Sequence, residues 1–222
     1  RLPGPHDTPT TRAGATALSP SAPTRYAASG AKSFGGERVG DRIRGIMAVT
    51  LQAHRRHALL RCASREAEGY LELGMHTHAV RCLQRRGSLV HSSARACYLL
   101  GESLRELRRY REALYPLRRA AQLCPTEANN WLALGWCYKR SGQLDLAAQS
   151  LERAIDSTPD EAILHFNLAC YYSLLGRSIP ALRSLRRAIA IDPAMKNLVA
   201  EESDFDPLRR DPSALMLLRA IA

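Results

Sequence analysis

The stretch that decides the fold is residues 128–161, ANNWLALGWCYKRSGQLDLAAQSLERAIDSTPDE. With Ala128 at its first position, four residues have the i, i+3, i+4, i+7 spacing of one helical face: Trp131, Leu134, Gly135 and Tyr138. Gly142 follows as the end of this helix, and Pro159 stands where a second helix cannot continue. The stretch therefore predicts two short helices joined by a tight turn.

The pattern recurs at an interval of 34 residues on both sides of this stretch. Prolines keep the interval after the second helix, and alanines keep it inside that helix: Pro125, Pro159 and Pro193, and Ala113, Ala147 and Ala181. A fixed period of this length is the signature of a helical repeat array, in which each unit buries its apolar face against its neighbours.

The unit resembles the tetratricopeptide repeat, whose pattern is W-x2-L-G-x2-Y, then A-x3-F, then P. Leucine replaces the phenylalanine, and the matching residues are Trp131, Leu134, Gly135, Tyr138, Ala147, Leu151 and Pro159. The resemblance implies an all-α, right-handed α-solenoid of about four helix–turn–helix units with a capping helix.

Three units keep this register, and a weaker unit precedes them. With Leu60 at its first position, the weak unit keeps Ala67 and Tyr70 but has Arg86 and His91 in place of the alanine and proline, so the end of its second helix is left open. The predicted units lie near 60–93, 94–127, 128–161 and 162–195, within a solenoid at 47–195. Their helices are predicted near 60–73, 76–89, 94–107, 110–123, 128–141, 144–157, 162–175 and 178–191. The stretch from Met47 to Arg61 is a candidate backward extension of the first helix.

Residues 1–46 are predicted to form a disordered tail, because they contain five prolines, many small residues and almost no large apolar ones. The first methionine, Met47, stands where the ordered pattern begins. We therefore expect translation of the native protein to start at Met47, a prediction that N-terminal sequencing tests.

Residues 196–222 leave the repeat pattern and resemble the closing segment of many bacterial tetratricopeptide proteins. A D-F-x-P-L-R turn around Phe205 precedes a short apolar helix from about Pro212. The last repeat of a solenoid has an apolar face that must be covered. The residues predicted to cover it are Phe205, Leu208, Leu215 and Leu218. A partner-binding helix is the alternative interpretation of this segment.

The resemblance implies a protein–protein interaction module, an adaptor or scaffold, with a concave groove lined by the first helices of the units. The residues that it places in this groove are Arg95, Tyr98, Glu102, Arg105, Asn129, Leu132, Trp136, Lys139, Ile163, Phe166, Asn167 and Cys170. We expect an exposed apolar strip for a peptide or helix of a partner, formed by Tyr98, Leu132, Trp136 and Phe166. The alternative is that the extra C-terminal helix or neighbouring side chains bury part of it.

The two tryptophans of the chain take different positions in their unit. Trp131 is predicted to pack between helices, whereas Trp136 is predicted to face the groove. A chaperone-type carboxylate clamp is not expected, because Leu132 and Trp136 stand where that subfamily has lysine and asparagine. In the groove, Arg95, Arg105 and Lys139 are expected to orient acidic groups of the partner.

The net charge of +11 leaves a second class open, a basic protein associated with nucleic acid. Arg118–Arg119 and Arg186–Arg187 would lie on second helices, but Glu152 interrupts them and no aromatic residues are interleaved. Self-assembly through the first helix or the cap is a third possibility. Protein binding is the favoured prediction.

No catalytic, metal-binding or cofactor-binding residues are predicted. The chain has no Gly-rich phosphate loop, HExxH or GxSxG motif, and its six cysteines include no CxxC pair. Surface positions are expected for His54 and His57. Scattered cysteines are typical of reduced thiols, so we expect a cytoplasmic location. No run of 18 apolar residues occurs, so no membrane insertion is predicted.

Overall fold

The computed structural model describes residues 36–221, and these residues contain helices and turns but no strand. The helices are α1 (Gly36–Glu72), α2 (His76–Gln84), α3 (Ala94–Glu106), α4 (Tyr110–Leu123), α5 (Ala128–Arg140), α6 (Leu144–Ser157), α7 (Ala162–Leu174), α8 (Ser178–Ile191), α9 (Met195–Val199), α10 (Asp206–Arg210) and α11 (Pro212–Ile221). Two 3₁₀ segments lie at Gly87–Ser92 and Ser203–Phe205. The described residues fall into two units, 36–46 and 47–221.

Consecutive helices pack as antiparallel pairs, which makes residues 94–191 an array of three helix–turn–helix units. α3 packs on α4, α5 on α6 and α7 on α8, and each pair also contacts the next. The bounds of these six helices agree with the predicted bounds to within one residue. The all-α solenoid predicted from the 34-residue period is confirmed.

Small residues at three positions of each unit allow the two helices to approach closely. The alanines in the second helices are fully buried: Ala113, Ala120, Ala147, Ala154, Ala181 and Ala188. The small residue of the first helix is Gly101, Gly135 or Ala169, and a Cβ atom added to Gly135 would lie 3.2 Å from the backbone oxygen of Ala147. A Cβ atom added to Gly101 would lie 2.4 Å from Cγ of Leu117, so a side chain there has no space.

The first helix of a unit ends at a residue in the left-handed backbone region. Gly142 has φ of +78°, and its neighbour Gln143 donates its amide to Tyr138 O at 2.9 Å. Gly74 and Gly176 occupy the same position with φ of +69° and +70°. Arg108 takes this position in the second unit with φ of 58°.

The loops between units are held by one side chain at the fourth position of the next unit. Trp131 Nε1 donates a hydrogen bond to Pro125 O at 2.8 Å. Thirty-four residues later, His165 Nε2 lies 2.8 Å from Pro159 O. Both side chains are half-buried, so Trp131 is less enclosed than the predicted core position implies. Trp131 stays partly exposed because its indole Nε1 bonds to Pro125 O in the surface loop.

The first unit differs from the other three at both ends. α1 begins at Gly36, so residues 36–46 are helical rather than disordered; the prediction for residues 1–35 falls outside the described residues. α2 ends at Gln84, five residues before the predicted end. In the other units a small alanine lets the second helix pack closely on the first, but here Arg86 stands at that position. Gly87 has φ of +56°, which lies outside the helical region, so α2 does not continue past it.

The segment from Met195 to Ile221 packs on the last unit. Phe205 and Leu208 are fully buried against it, Leu218 is buried and Leu215 is half-buried. α11 contacts α8, whereas α10 and the 3₁₀ turn at Phe205 contact α7. Phe205, Leu208 and Leu218 therefore pack as predicted, whereas Leu215 stays partly exposed. No helix among the described residues is long and apolar enough to cross a bilayer.

Candidate functional site

The first helices of neighbouring units present one common surface, here called the groove face. It consists of the sides of α3, α5 and α7 that carry the predicted groove residues, and α3 contacts α5 directly. Residues three and four apart on a helix share a side, so each helix supplies several adjacent side chains to this face. The fixed spacing of the helices makes the face a preformed surface.

Trp136 lies at the centre of the groove face, among cationic and aromatic side chains. The guanidinium carbons of Arg105 and Arg140 lie 5.2 Å and 5.6 Å from the centre of its ring. The Tyr110 ring meets it edge-on at 5.3 Å, and Arg140 also lies over Tyr110 at 5.4 Å. These contacts hold the half-buried indole in one orientation. Sequence reasoning missed Tyr110 and Arg140, because one begins α4 and the other ends α5, in two different units.

On α3, the predicted charges are compensated within the chain. Arg95 pairs with Glu68 at 2.6 Å, and Arg105 pairs with Glu102 through two hydrogen bonds of 2.8 Å and 3.0 Å. Tyr98 lies between these pairs and is half-buried, and burial raises the pKa of its phenol to about 12. Tyr98 therefore remains a neutral aromatic surface with a hydroxyl group at physiological pH.

The other predicted groove residues of α5 and α7 differ in exposure. Asn129 is exposed, and its amide donates to Glu127 at 3.1 Å. Leu132 is half-buried against the core. On α7, Ile163 is 36% exposed and Asn167 is half-buried. Tyr98, Leu132 and Trp136 are thus all half-buried on the groove face.

At α7 the groove face is covered by the C-terminal segment, which corrects the predicted exposed strip. Phe166 is only 4% exposed, because the Phe205 ring packs edge-on against it at 5.5 Å. Cys170 is buried beside the same turn. Lys139 forms an ion pair with Asp204. Phe166 and Cys170 are therefore packing residues, and the alternative that the C-terminal segment buries part of the strip holds here.

The same turn brings together three possible metal ligands that sequence reasoning did not anticipate. The ligand atoms of Cys170, Glu202 and Asp204 lie within 4.8 Å of one another. However, Lys139 already neutralises Asp204, and burial raises the pKa of the Cys170 thiol, which keeps it protonated. Packing of Cys170 and the ion pair of Asp204 with Lys139 therefore explain why these three side chains lie close together.

Comparisons with known proteins agree with this architecture. The sequence model of the tetratricopeptide repeat matches residues 128–161 and 162–195, the same bounds as two predicted units. No curated protein sequence matches the chain. Among solved structures, one of MamA superposes with a TM-score of 0.58 at 22% identity, covering 73% of this chain and 89% of that one. Another MamA structure gives 0.58 at 21% identity, with 68% and 86% covered.

A further similar structure is that of YrrB, described as a tetratricopeptide protein with an unusual peptide-binding site. It superposes with a TM-score of 0.57 at 25% identity, covering 61% of this chain and 70% of that one. Fold and preformed face together define a helical repeat scaffold, a class whose general role is protein interaction. Residues 128–161 and 162–195 match the tetratricopeptide repeat as two consecutive repeats.

Proposed function

We propose that the chain binds a peptide or helical segment of a partner protein on the groove face between α3 and α5. The observation that carries this proposal is the half-buried Trp136, which is held in place by two guanidinium groups and a tyrosine ring. Aromatic residues presented rigidly in this way are typical anchors of protein interfaces. YrrB, with its peptide-binding site, gives the proposal support from a structure of the same family.

Apolar contacts would come from Tyr98, Leu132 and Trp136, with Asn129 and Ile163 at the rim. Arg140 takes part in no ion pair among the described residues, unlike the predicted charge contacts Arg95, Arg105 and Lys139. An acidic group of the partner would therefore meet Arg140 first. The rigid helix array would lower the ordering cost of binding on this side of the complex.

The test is a comparison of partners recovered from the native host by wild type, Trp136→Ala and Tyr115→Ala. Tyr115 is a matched control, since it is an aromatic residue 57% exposed on the second helix α4. We expect wild type and Tyr115→Ala to recover a common protein that Trp136→Ala loses, with the melting temperature of each variant measured alongside. A folded Trp136→Ala protein that retains every partner contradicts the proposal. Recovery of nucleic acid alone, with steep salt dependence, would instead establish the competing class.

A further inference from the structure

We propose a second docking surface on the first unit, for an amphipathic helix of a partner protein with acidic residues along its flanks. The surface is the groove between α1 and the 3₁₀ segment Gly87–Ser92, here called the α1 groove. It is a cavity of about 750 Å³ whose lining begins at Val49 and includes Arg95 at the edge of the groove face, but not Trp136. Nothing in the proposed binding at Trp136 requires it.

The α1 groove exists because the first unit lacks the regular second helix. α2 ends early at Gln84 and is followed by the 3₁₀ segment, whereas α1 begins well before the repeat. Every residue of α1 from 47 to 59 is exposed, and the helix first becomes buried at Leu60. Several turns of α1 therefore present one side to solvent beside the 3₁₀ segment.

The floor of the α1 groove is apolar. Val49, Ala53 and Leu60 line it on α1, and Leu89 lines it on the 3₁₀ segment. Val49 is 67% exposed, and the neighbouring Met47 and Leu51 are 65% and 73% exposed. Removing such apolar surface from water favours association with another apolar surface.

The rim of the α1 groove is strongly basic, and this determines the charge of the occupant. Four arginines line the groove: Arg56, Arg61, Arg65 and Arg95. The carboxylate in the lining, Glu68, is occupied by its 2.6 Å bond to Arg95. The other three arginines have no carboxylate partner among the described residues. Acidic flanks on the partner would supply the missing charge.

The same charges argue against a second copy of this chain as the occupant. Residues 47–65 contain four arginines and no acidic residue. Two copies of this segment facing each other would place like charges together at short range, which opposes association. A partner with the opposite charge is therefore the better complement.

A helix fits the α1 groove better than an extended peptide. The lining residues of α1 recur every three or four positions from Val49 to Glu68, a length of roughly 28 Å at 1.5 Å per residue. Such a row of side chains accepts the ridges of a second helix along its whole length. An extended chain would need partners for its backbone groups, and the backbone of α1 is already bonded within its own helix.

The experiment uses the full chain and a labelled synthetic helix of about 18 residues, with leucines on one face and glutamates on both flanks. A matched peptide carries lysines in place of the glutamates. We expect the glutamate peptide to bind at least about tenfold more tightly than the lysine peptide, measured by fluorescence anisotropy. Its affinity should fall with added salt.

Three variants locate the binding site, and two of them change exposed residues that contribute nothing to the core. Val49→Asp should weaken the glutamate peptide about tenfold, whereas the combined Arg56→Glu and Arg61→Glu change should make the lysine peptide the better ligand. Trp136→Ala should leave both affinities unchanged, which separates this surface from the proposed site at Trp136.

The proposal is overturned if neither peptide binds, if both bind equally, or if the charge reversal does not exchange their order. Loss of binding in Trp136→Ala with retention in Val49→Asp would assign the peptide to the groove face instead. Concentration-dependent dimerisation that Val49→Asp abolishes would show that a second copy is the occupant. The peptide measurements do not depend on the recovery experiment with Trp136→Ala, so either proposal can fail while the other stands.

Discussion

At the scale of single residues, Arg108 occupies a position that favours glycine. Among the described residues it is the one non-glycine residue with positive φ, at 58°. Gly74, Gly142 and Gly176 stand at the same place in the other three units. A side chain in the left-handed region contacts its own backbone unfavourably, so Arg108 stores strain in the turn between α3 and α4.

Replacing Arg108 with glycine should relieve this strain. We expect Arg108→Gly to raise the free energy of unfolding by about 1 kcal/mol, measured by urea denaturation. Arg118→Gly is the matched control, because it places a glycine at an exposed position in the middle of α4 and should instead lower stability by about 1 kcal/mol. Equal destabilisation by both changes would contradict the assignment of strain to Arg108.

Gly101 is required for a different reason, the close approach of α3 and α4. The Leu117 side chain, fully buried, fills the space that a Cβ at residue 101 would need. Gly101→Ala should therefore cost about 1–3 kcal/mol through overpacking, in the same denaturation measurement. At Gly69, within α1, no atom lies within 4 Å of an added Cβ, so Gly69→Ala should stabilise by roughly 0.5–1 kcal/mol.

At the scale of elements, the C-terminal segment is part of the core of the last repeat. Phe205→Ala should lower stability by about 3–5 kcal/mol, because it removes a fully buried ring and uncovers Phe166. Met216→Ala in α11 is the control, since Met216 is 70% exposed and its loss should change little. Thermal unfolding compares the two variants; similar melting temperatures would show that the segment is not integral to the repeat.

At the scale of the whole molecule, buried thiols link stability to alkaline pH. Burial raises the pKa of Cys97 to about 11 and of Cys137 to about 12, from the ordinary value of 9.0. A raised thiol pKa means that the folded chain keeps protons which the unfolded chain has lost. The stability from these groups is therefore complete below pH 9 and is lost as pH rises toward 12.

The measurement is the free energy of unfolding at pH 8 and pH 10.5 under reducing conditions. We expect wild type to lose stability between these values, and a Cys97→Ala and Cys137→Ala double variant to lose less. Cys62→Ala is the control, because Cys62 is exposed and its change should leave the pH dependence as in wild type. An identical slope in wild type and the double variant would show that other groups cause the effect.

Local pattern was sufficient to predict the helices of the array. The 34-residue period located α3 to α8 to within one residue, because a proline follows the second helix of each of these units and a glycine follows the first helix in two of them. α1 extends backwards over residues 47–61, as the sequence allowed, but its part before Met47 and the short α2 departed from the prediction. In this unit the alanine and proline of the pattern are absent, so the period carried no information about where the second helix ends.

What the sequence by itself determined is the repeat array and the position of its first helices. Only the tertiary structure decided which of their side chains remain available, because coverage depends on segments distant along the chain. Asp204 lies 65 residues from Lys139 in sequence, yet pairs with it, and Phe205 covers Phe166. Helical periodicity places a residue on a face, whereas burial of that face depends on which other segment packs against it.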